Sequence, residues 1–405
     1  VRTVLDRGAV ARLVLGWAGV AALAALSPAP AALSSPLLAL ALAAIVAVIV
    51  VAAGGVVQQA EALARRLGDP YGTLVLTLSI VVIEVVLIAA VMLGPGDHGT
   101  IARDSVMAVT MIIMNLVLGL CLLLGGLRHG DLAPHRVGTS TYLALLIALS
   151  ATAFALPAVL GDGASFTPVQ ALVIAASTVV LYGVFLWRQT GAQAADFREV
   201  VPAITAPASA GPVATGPARD ADPDAATGTT GDAVGASAAD DTVGTPSIAV
   251  TLSRHRAELG LRVALLVATV LPIVLLSHDM AGLLDEGLDR LGAPIALSGV
   301  LIAAIVFTPE SLTAVRAALG GEIQRVVNLC HGALVSTLAL TIPTVLVIGL
   351  LTDSPVLLAE SPVNLLLLGV TFAVSAVSAA APRVTAVHGT VHLLLFVLHA
   401  LALLS

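Results

Sequence analysis

Runs of about 20 apolar residues, parted by short polar breaks, recur along the whole chain. A run of that length crosses a hydrocarbon layer about 30 Å thick when it is α-helical. The breaks predict eleven spans, at 10–27, 36–58, 72–93, 104–127, 140–160, 168–188, 260–277, 293–317, 323–351, 362–380 and 387–404. The short alternating segments that build a membrane β-barrel are absent from the sequence. The expected fold class is all-α, a polytopic membrane protein of about eleven transmembrane helices.

One long stretch interrupts the pattern. Residues 190–252 are Ala, Gly, Thr, Pro and Asp with few large apolar groups, a composition that buries no core and predicts a disordered linker. It sets apart an N-terminal helix and loop (1–35), a first membrane repeat (36–189) and a second (253–405). Each repeat holds five spans, and because five is odd the second enters the bilayer in the opposite sense. An inverted repeat of five plus five helices after a first helix is therefore expected.

Charge sharpens this layout. Of 405 residues, 58% are hydrophobic and 11% charged, with a mean hydropathy of +1.05 and a net charge of −7. Within 190–250 stand eight acids against Arg198 and Arg219, a local charge of −6, so the membrane part is close to neutral and nothing suggests nucleic-acid binding. All 18 basic residues are arginine. With the N-terminus inside, 16 of the 18 fall on the cytoplasmic side, leaving Arg103 and Arg290 outside. The expected location is a bacterial-type cytoplasmic (inner) membrane, with the N-terminus and linker cytoplasmic and the C-terminus outside. A rival reading of the N-terminus as a signal peptide ending near Ser27–Ala31 is disfavoured by Pro28 and Pro30.

Two carboxylates stand deep inside apolar spans. Arg66-Leu67-Gly68-Asp69-Pro70 precedes Glu84, and Arg290-Leu291-Gly292-Ala293-Pro294 precedes Glu310, with Gly to Glu separations of 16 and 18 residues. An ionisable group in lipid is costly and marks a functional site by default. A matched pair in oppositely oriented halves points to one shared midplane site, as in an ion exchanger. Before Glu310 come Thr308 and Pro309; the proline frees the carbonyl of Ile305, and a broken helix beside a carboxylate is expected to offer backbone oxygen as well as charge. Ca²⁺ takes six to eight such oxygens.

Polar residues follow each glutamate in the next span: Thr110 and Asn115 in the first half, His331, Ser336 and Thr337 in the second. These can ligate a cation or hold the carboxylates, and interhelical hydrogen bonding serves equally well for each one singly. Gly119, Gly125 and Gly126 suit close helix approach. His388 and His392 share a helix face at metal-ligand spacing, but packing or hydrogen bonding is favoured. Cys121 and Cys330 read as small core residues. Glu61 and Asp285 each stand seven residues before the repeated glycine and are candidate acids at the two mouths of a path, with solvated helix ends the simpler account. No motif of a membrane-embedded enzyme is present, and no EF-hand loop occurs in the linker.

Several of these stretches resemble the α-repeats of the calcium/cation antiporter superfamily. The residues concerned are Glu61-Ala62-Leu63-Ala64-Arg65-Arg66-Leu67-Gly68 leading to Glu84, and Phe307-Thr308-Pro309-Glu310-Ser311-Leu312. Asn115-Leu116-Val117-Leu118-Gly119-Leu120-Cys121 with Gly125-Gly126-Leu127-Arg128, and Leu340-Thr341-Ile342-Pro343, add to the likeness. The ChaA-type branch of Ca²⁺/H⁺ exchangers is the nearest in pattern. The resemblance implies Glu84 and Glu310 as the cation- and proton-binding pair, with transported Ca²⁺ first, Na⁺ or K⁺ as the alternative, and no resident cofactor. Expected partners are these cations, protons and the bilayer, and a homo-oligomer is compatible with the pattern. Both glutamates here lack the Gly-Asn-Ala-x-Glu setting of the wider family, so the ligand set differs from it.

Overall fold

The computed structural model describes residues 6–26, 33–67, 99–197, 248–292 and 296–404, with Val81, Val85, Ile88, Ala89 and Met92 as isolated helical positions between. The third expected span, including Glu84, the signal-peptide site and most of the linker lie outside the described residues. Ten helices follow in order: α1 (Arg7–Leu26), α2 (Ser35–Leu67), α3 (Ile101–His129), α4 (Arg136–Leu160), α5 (Pro168–Thr190), α6 (Ile248–Leu291), α7 (Ala296–Gly320), α8 (Ile323–Thr352), α9 (Pro362–Ala380) and α10 (Ala386–Leu404). Nine of the described helices are long and apolar enough to cross a membrane, and α7 adds a further 25 helical residues. Among the described residues the only bridges of β type are isolated, Leu132 with Val384 and Asp162 with Ser165. The protein is an all-helical, multi-pass membrane protein.

Local chemistry places most boundaries where the apolar runs end. Thr167 and Gln170 form a reciprocal capping box at the start of α5, with Pro168 in the first turn. Ser361 accepts from the Asn364 amide at 3.2 Å to open α9, again followed by proline. Between α7 and α8 the chain reverses through Gly321 at φ +82°, a backbone conformation that L side chains rarely adopt. The largest departure from expectation is α6, which runs 44 residues where the apolar pattern marks only 260–277. Its polar ends continue as helix because Glu258–Arg262 and Glu286–Arg290 pair at i,i+4, at 3.1 and 2.8 Å. Of the expected linker, Ala194–Phe197 forms one 3₁₀ turn and α6 already begins at Ile248.

Two apolar clusters organise the bundle. Helices α1, α2 and α6 share one, built on Ile45, Ile49, Ile273, Leu276 and Met280. The larger one joins α3, α4, α5, α7, α8 and α9. Helix α2 runs antiparallel to α6, since Gly287 sits by Leu38 and Leu42 while Arg262 donates to Gln59. Helix α7 touches α2 and α6 of the smaller cluster as well as α3 and α8.

Packing in the larger cluster is reciprocal. Helix α3, before the linker, lies against α10, the last helix after it; α8, after the linker, lies against α5, the last helix before it. The first contact is a close crossing: a Cβ on Gly389 would stand 2.4 Å from the Leu123 nitrogen, and one on Gly126 2.5 Å from the Ala386 nitrogen. The expectation that Gly119 and Gly126 permit close approach is met by helix α10.

Candidate functional site

Glu310 is 7% exposed and lies near the middle of α7, facing the region where α7 meets α3 and α8. Its carboxylate is within electrostatic reach of Cys330 on α8, which is in turn within reach of Cys121 on α3. Helix α7 continues without interruption across Pro309, so the expected broken helix is absent there. What proline does remove is the amide that would otherwise meet the Ile305 carbonyl. The flanking hydroxyls turn back on their own helix: Thr308 donates to the Ala304 carbonyl at 2.7 Å and Ser311 to Phe307 at 2.8 Å. Each hydroxyl oxygen still has lone pairs to offer.

The irregular helix is α3. Residues Ile112–Val117 form a π-helical turn, and Asn115 sits inside it, 0% exposed. Such turns widen the backbone ladder and concentrate at functional sites. The Asn115 amide donates to the Thr371 hydroxyl of α9 at 2.9 Å, and its carbonyl accepts from His392 Nδ1 of α10 at 3.1 Å. Thr110, also fully buried, donates to the Val106 carbonyl at 2.7 Å. His392 is therefore a partner of Asn115. His388 instead accepts from the Thr385 amide at 3.1 Å, so the two rings of the i,i+4 pair turn to different partners.

Helix α8 supplies the counterpart. Ser336 accepts from the Tyr182 hydroxyl of α5 at 2.8 Å and donates to Gly332 at 2.8 Å. Asn115 is 14 residues into α3 and Ser336 13 residues into α8, and each bonds to the last helix of the other half. Matching depth and crossed partners make them positional equivalents. His331, 2% exposed, lies 3.2 Å from the Val327 carbonyl through Nδ1 and packs its ring 6.1 Å from that of Tyr142. A cavity of about 30 Å³ borders His331, His392, Ser375 and Thr139, room for a water or two.

At the end of the bundle where α3, α7 and α9 begin is a larger cavity of about 430 Å³, bordered by Arg103, Asp104, Met107, Glu360, Asn364 and His399 among others. Arg103 clamps Asp104 at 2.8 Å and the Ala359 carbonyl at 3.1 Å, and its Nε stands 3.8 Å from Glu360. Glu360 accepts from Asn364 at 2.9 Å and from the Ser361 amide at 3.0 Å. Burial pushes its carboxyl above the ordinary value, and those bonds with Arg103 offset part of the effect. The sequence reading missed this cluster because its acids flank helix starts and carry no repeat signature.

Of the expected residues, Thr308 and Glu310 on α7, Thr110 and Asn115 on α3, and His331 and Ser336 on α8 belong to three mutually touching helices. Asp285 is exposed on α6, toward the opposite end of the antiparallel α2–α6 pair from the α2 position of Glu61. Among the described residues no three His, Cys, Asp or Glu side chains are grouped to hold a metal ion.

Comparison with known proteins covers most of the chain. Residues 37–191 and 261–404 match the family described as sodium/calcium exchanger protein. The putative ionic transporter y4hA of Sinorhizobium fredii is 32% identical over 343 residues, 84% of this chain and 82% of the relative. The sodium-potassium/proton antiporter ChaA of Escherichia coli is 28% identical over 341 residues, with the same coverage of 84% and 82%. Among solved structures, native YfkE superposes with a TM-score of 0.64 at 15% identity, covering 97% of this chain and 99% of that one. The H⁺/Ca²⁺ exchanger CAX gives 0.59 at 14%, covering 97% and 87%. At such identities the structural likeness speaks for the fold alone.

Proposed function

The chain belongs to the sodium/calcium exchanger protein family, and from that premise we propose that it is a proton-coupled cation antiporter, exchanging Ca²⁺ for H⁺. Glu310 carries the reading: a carboxylate buried mid-helix, where α7 meets the π turn of α3 and the polar face of α8. Glu84, outside the described residues, is its proposed partner, on the evidence of the repeated sequence around it. An isolated ionised carboxylate in this setting costs several kcal/mol or more, so each glutamate is held with a proton or with a cation.

The two ligands compete for the same oxygens. A pair of protonated glutamates is neutral, and so is a pair of carboxylates around Ca²⁺. Either state can pass between inward- and outward-facing forms, whereas the empty, doubly charged pair cannot. Exchange follows. Thr308, the Ile305 carbonyl, Thr110, Asn115, Ser336 and His331 are proposed to complete or orient the oxygen set. In this reading Asn115 and Ser336 are each steadied by a helix of the opposite half.

A second reading, Na⁺/H⁺ or K⁺/H⁺ exchange through the same glutamates, is supported by the likeness to ChaA, a sodium-potassium/proton antiporter. The proposed setting is a bacterial-type inner membrane with the N-terminus cytoplasmic, which follows from the arginine count and puts the 430 Å³ vestibule on the outer face.

The test is proton release in everted vesicles on addition of Ca²⁺, Na⁺ or K⁺. Glu310→Gln and Glu84→Gln should each abolish release while the protein still elutes as a folded species. Undiminished exchange in either variant would overturn the shared site, and the relative response to the three ions decides between the two cation readings.

A further inference from the structure

The vestibule holds a group that neither the proposed cation site nor the ion pairs around it employ. His399 lies on the buried face of α10 with Gly389, His392 and Leu395, is 2% exposed, and borders the 430 Å³ cavity. Neither ring nitrogen has a hydrogen-bond partner among the described residues. A neutral imidazole carries one donor and one acceptor, and leaving either unmatched in an interior costs about 1–3 kcal/mol. Leucine or phenylalanine would fill the space without that cost, so the imidazole itself calls for an explanation.

Among the described residues, helix α3 presents Arg103 and Asp104 to the cavity, the loop before α5 presents Ala164, the loop before α9 presents Glu360, α9 presents the neutral Asn364, and α7 presents Val300. Arg103 is committed to Asp104 and the Ala359 carbonyl. Glu360 turns one oxygen toward Asn364 and the Ser361 amide, while the other stands 3.8 Å from Arg103, and its side chain is 4% exposed. On α10 itself, the next histidine on the same face is His392, seven residues toward the middle of the bundle and bonded to Asn115. With no three-ligand metal grouping among the described residues, the ligand that suits an imidazole and a buried carboxyl bordering one cavity roomy enough for water is the proton.

We propose that His399 and Glu360 form a proton-loading station in this vestibule, separate from the cation site. Uptake makes an N–H or O–H bond with a proton drawn from hydronium in the cavity and leaves water; release breaks that bond and makes an O–H bond on a carboxylate of the cation site. The station rests on the proton coupling proposed above.

The experiment uses purified protein in proteoliposomes and two fluxes: Ca²⁺ uptake driven by a pH gradient, and exchange of labelled for unlabelled Ca²⁺ at equal pH. His399→Phe should slow the proton-driven flux by about tenfold or more and flatten its pH profile, because a relay has been lost. Labelled exchange should remain within about twofold, since the Ca²⁺ ligands are untouched. His399→Gln and Glu360→Gln, checked for monodisperse elution, guard against a variant that fails to fold. Equal loss of both fluxes would make His399 structural and overturn the station; so would an unchanged proton-driven flux and pH profile. If the wild type itself exchanges Ca²⁺ with no proton dependence, it is the coupling reading of the preceding subsection that fails, and the station fails with it.

Discussion

Replacing Gly389 by alanine tests the helix crossing that holds Asn115 against His392. The added Cβ would meet the Leu123 nitrogen at 2.4 Å, the Gly119 carbonyl oxygen at 2.5 Å and the Leu123 Cα at 2.9 Å. All three are backbone atoms of α3, so no side chain can swing aside. Ordinary contact lies near 3.5 Å, so α10 must retreat by about 1 Å. The Asn115–His392 bond, now 3.1 Å, would then exceed the reach of a hydrogen bond. Overpacking costs about 1–3 kcal/mol, and orphaning a buried polar partner adds about 1–3 kcal/mol. The alanine returns about 0.5–1 kcal/mol of helix propensity, leaving a net loss of about 1–5 kcal/mol. Thermal unfolding of the purified protein in detergent reads this as a lower Tm, with Gly369→Ala as control because its Cβ meets nothing within 4 Å. If Gly389→Ala melts with the control, the crossing is not the tight contact the geometry describes.

Two further outcomes follow from the polar contacts. Glu360 has its carboxyl raised above 4.5, mainly by burial, so the folded state holds a proton that the unfolded state gives up. Its contribution is therefore full below pH 4.5 and is lost as pH rises through the raised value; Glu360→Gln should melt higher than wild type at neutral pH, with the gap closing toward pH 4.5. Parallel melting curves at both pH values would refute this. Tyr182→Phe removes the donor to Ser336, which keeps its bond to Gly332, so a loss of about 0.5–1.5 kcal/mol in denaturant unfolding is expected, and none at all would show that the bond is absent in solution.

Much of the architecture was legible because lipid makes a strict demand on sequence. A helix that must be apolar for about 20 residues leaves little room for error, and α9 spans 362–380 as the pattern predicts. Helix α6 was foreshortened because hydropathy marks only its apolar middle, whereas its charged ends are held by local ion pairs. The π turn around Asn115 left no trace in the pattern, since one extra residue in a buried helix changes no hydropathy. Asn115 itself was legible as a polar residue in an apolar span, but its partners are 256 and 277 residues away, a relation no local spacing records. The vestibule was missed for the opposite reason: Asp104 and Glu360 stand where charged residues are unremarkable, and only the fold shows that they border one cavity with a buried histidine.

The reciprocal packing constrains how the two halves can move. If α3 and α8 each carry part of the cation site, each is also tied to a helix of the other half, through Asn115–His392 on one side and Ser336–Tyr182 on the other. Neither half can then rotate alone without breaking a buried polar bond, which costs more than an exposed one. The α1–α2–α6 cluster is different. It has its own apolar core and, among the described residues, meets the rest of the bundle largely through α7, the helix that carries Glu310. Displacing that cluster against α7 leaves both crossed hydrogen bonds intact, so it is the less costly motion, and access to Glu310 would change while α3 and α8 stayed in place.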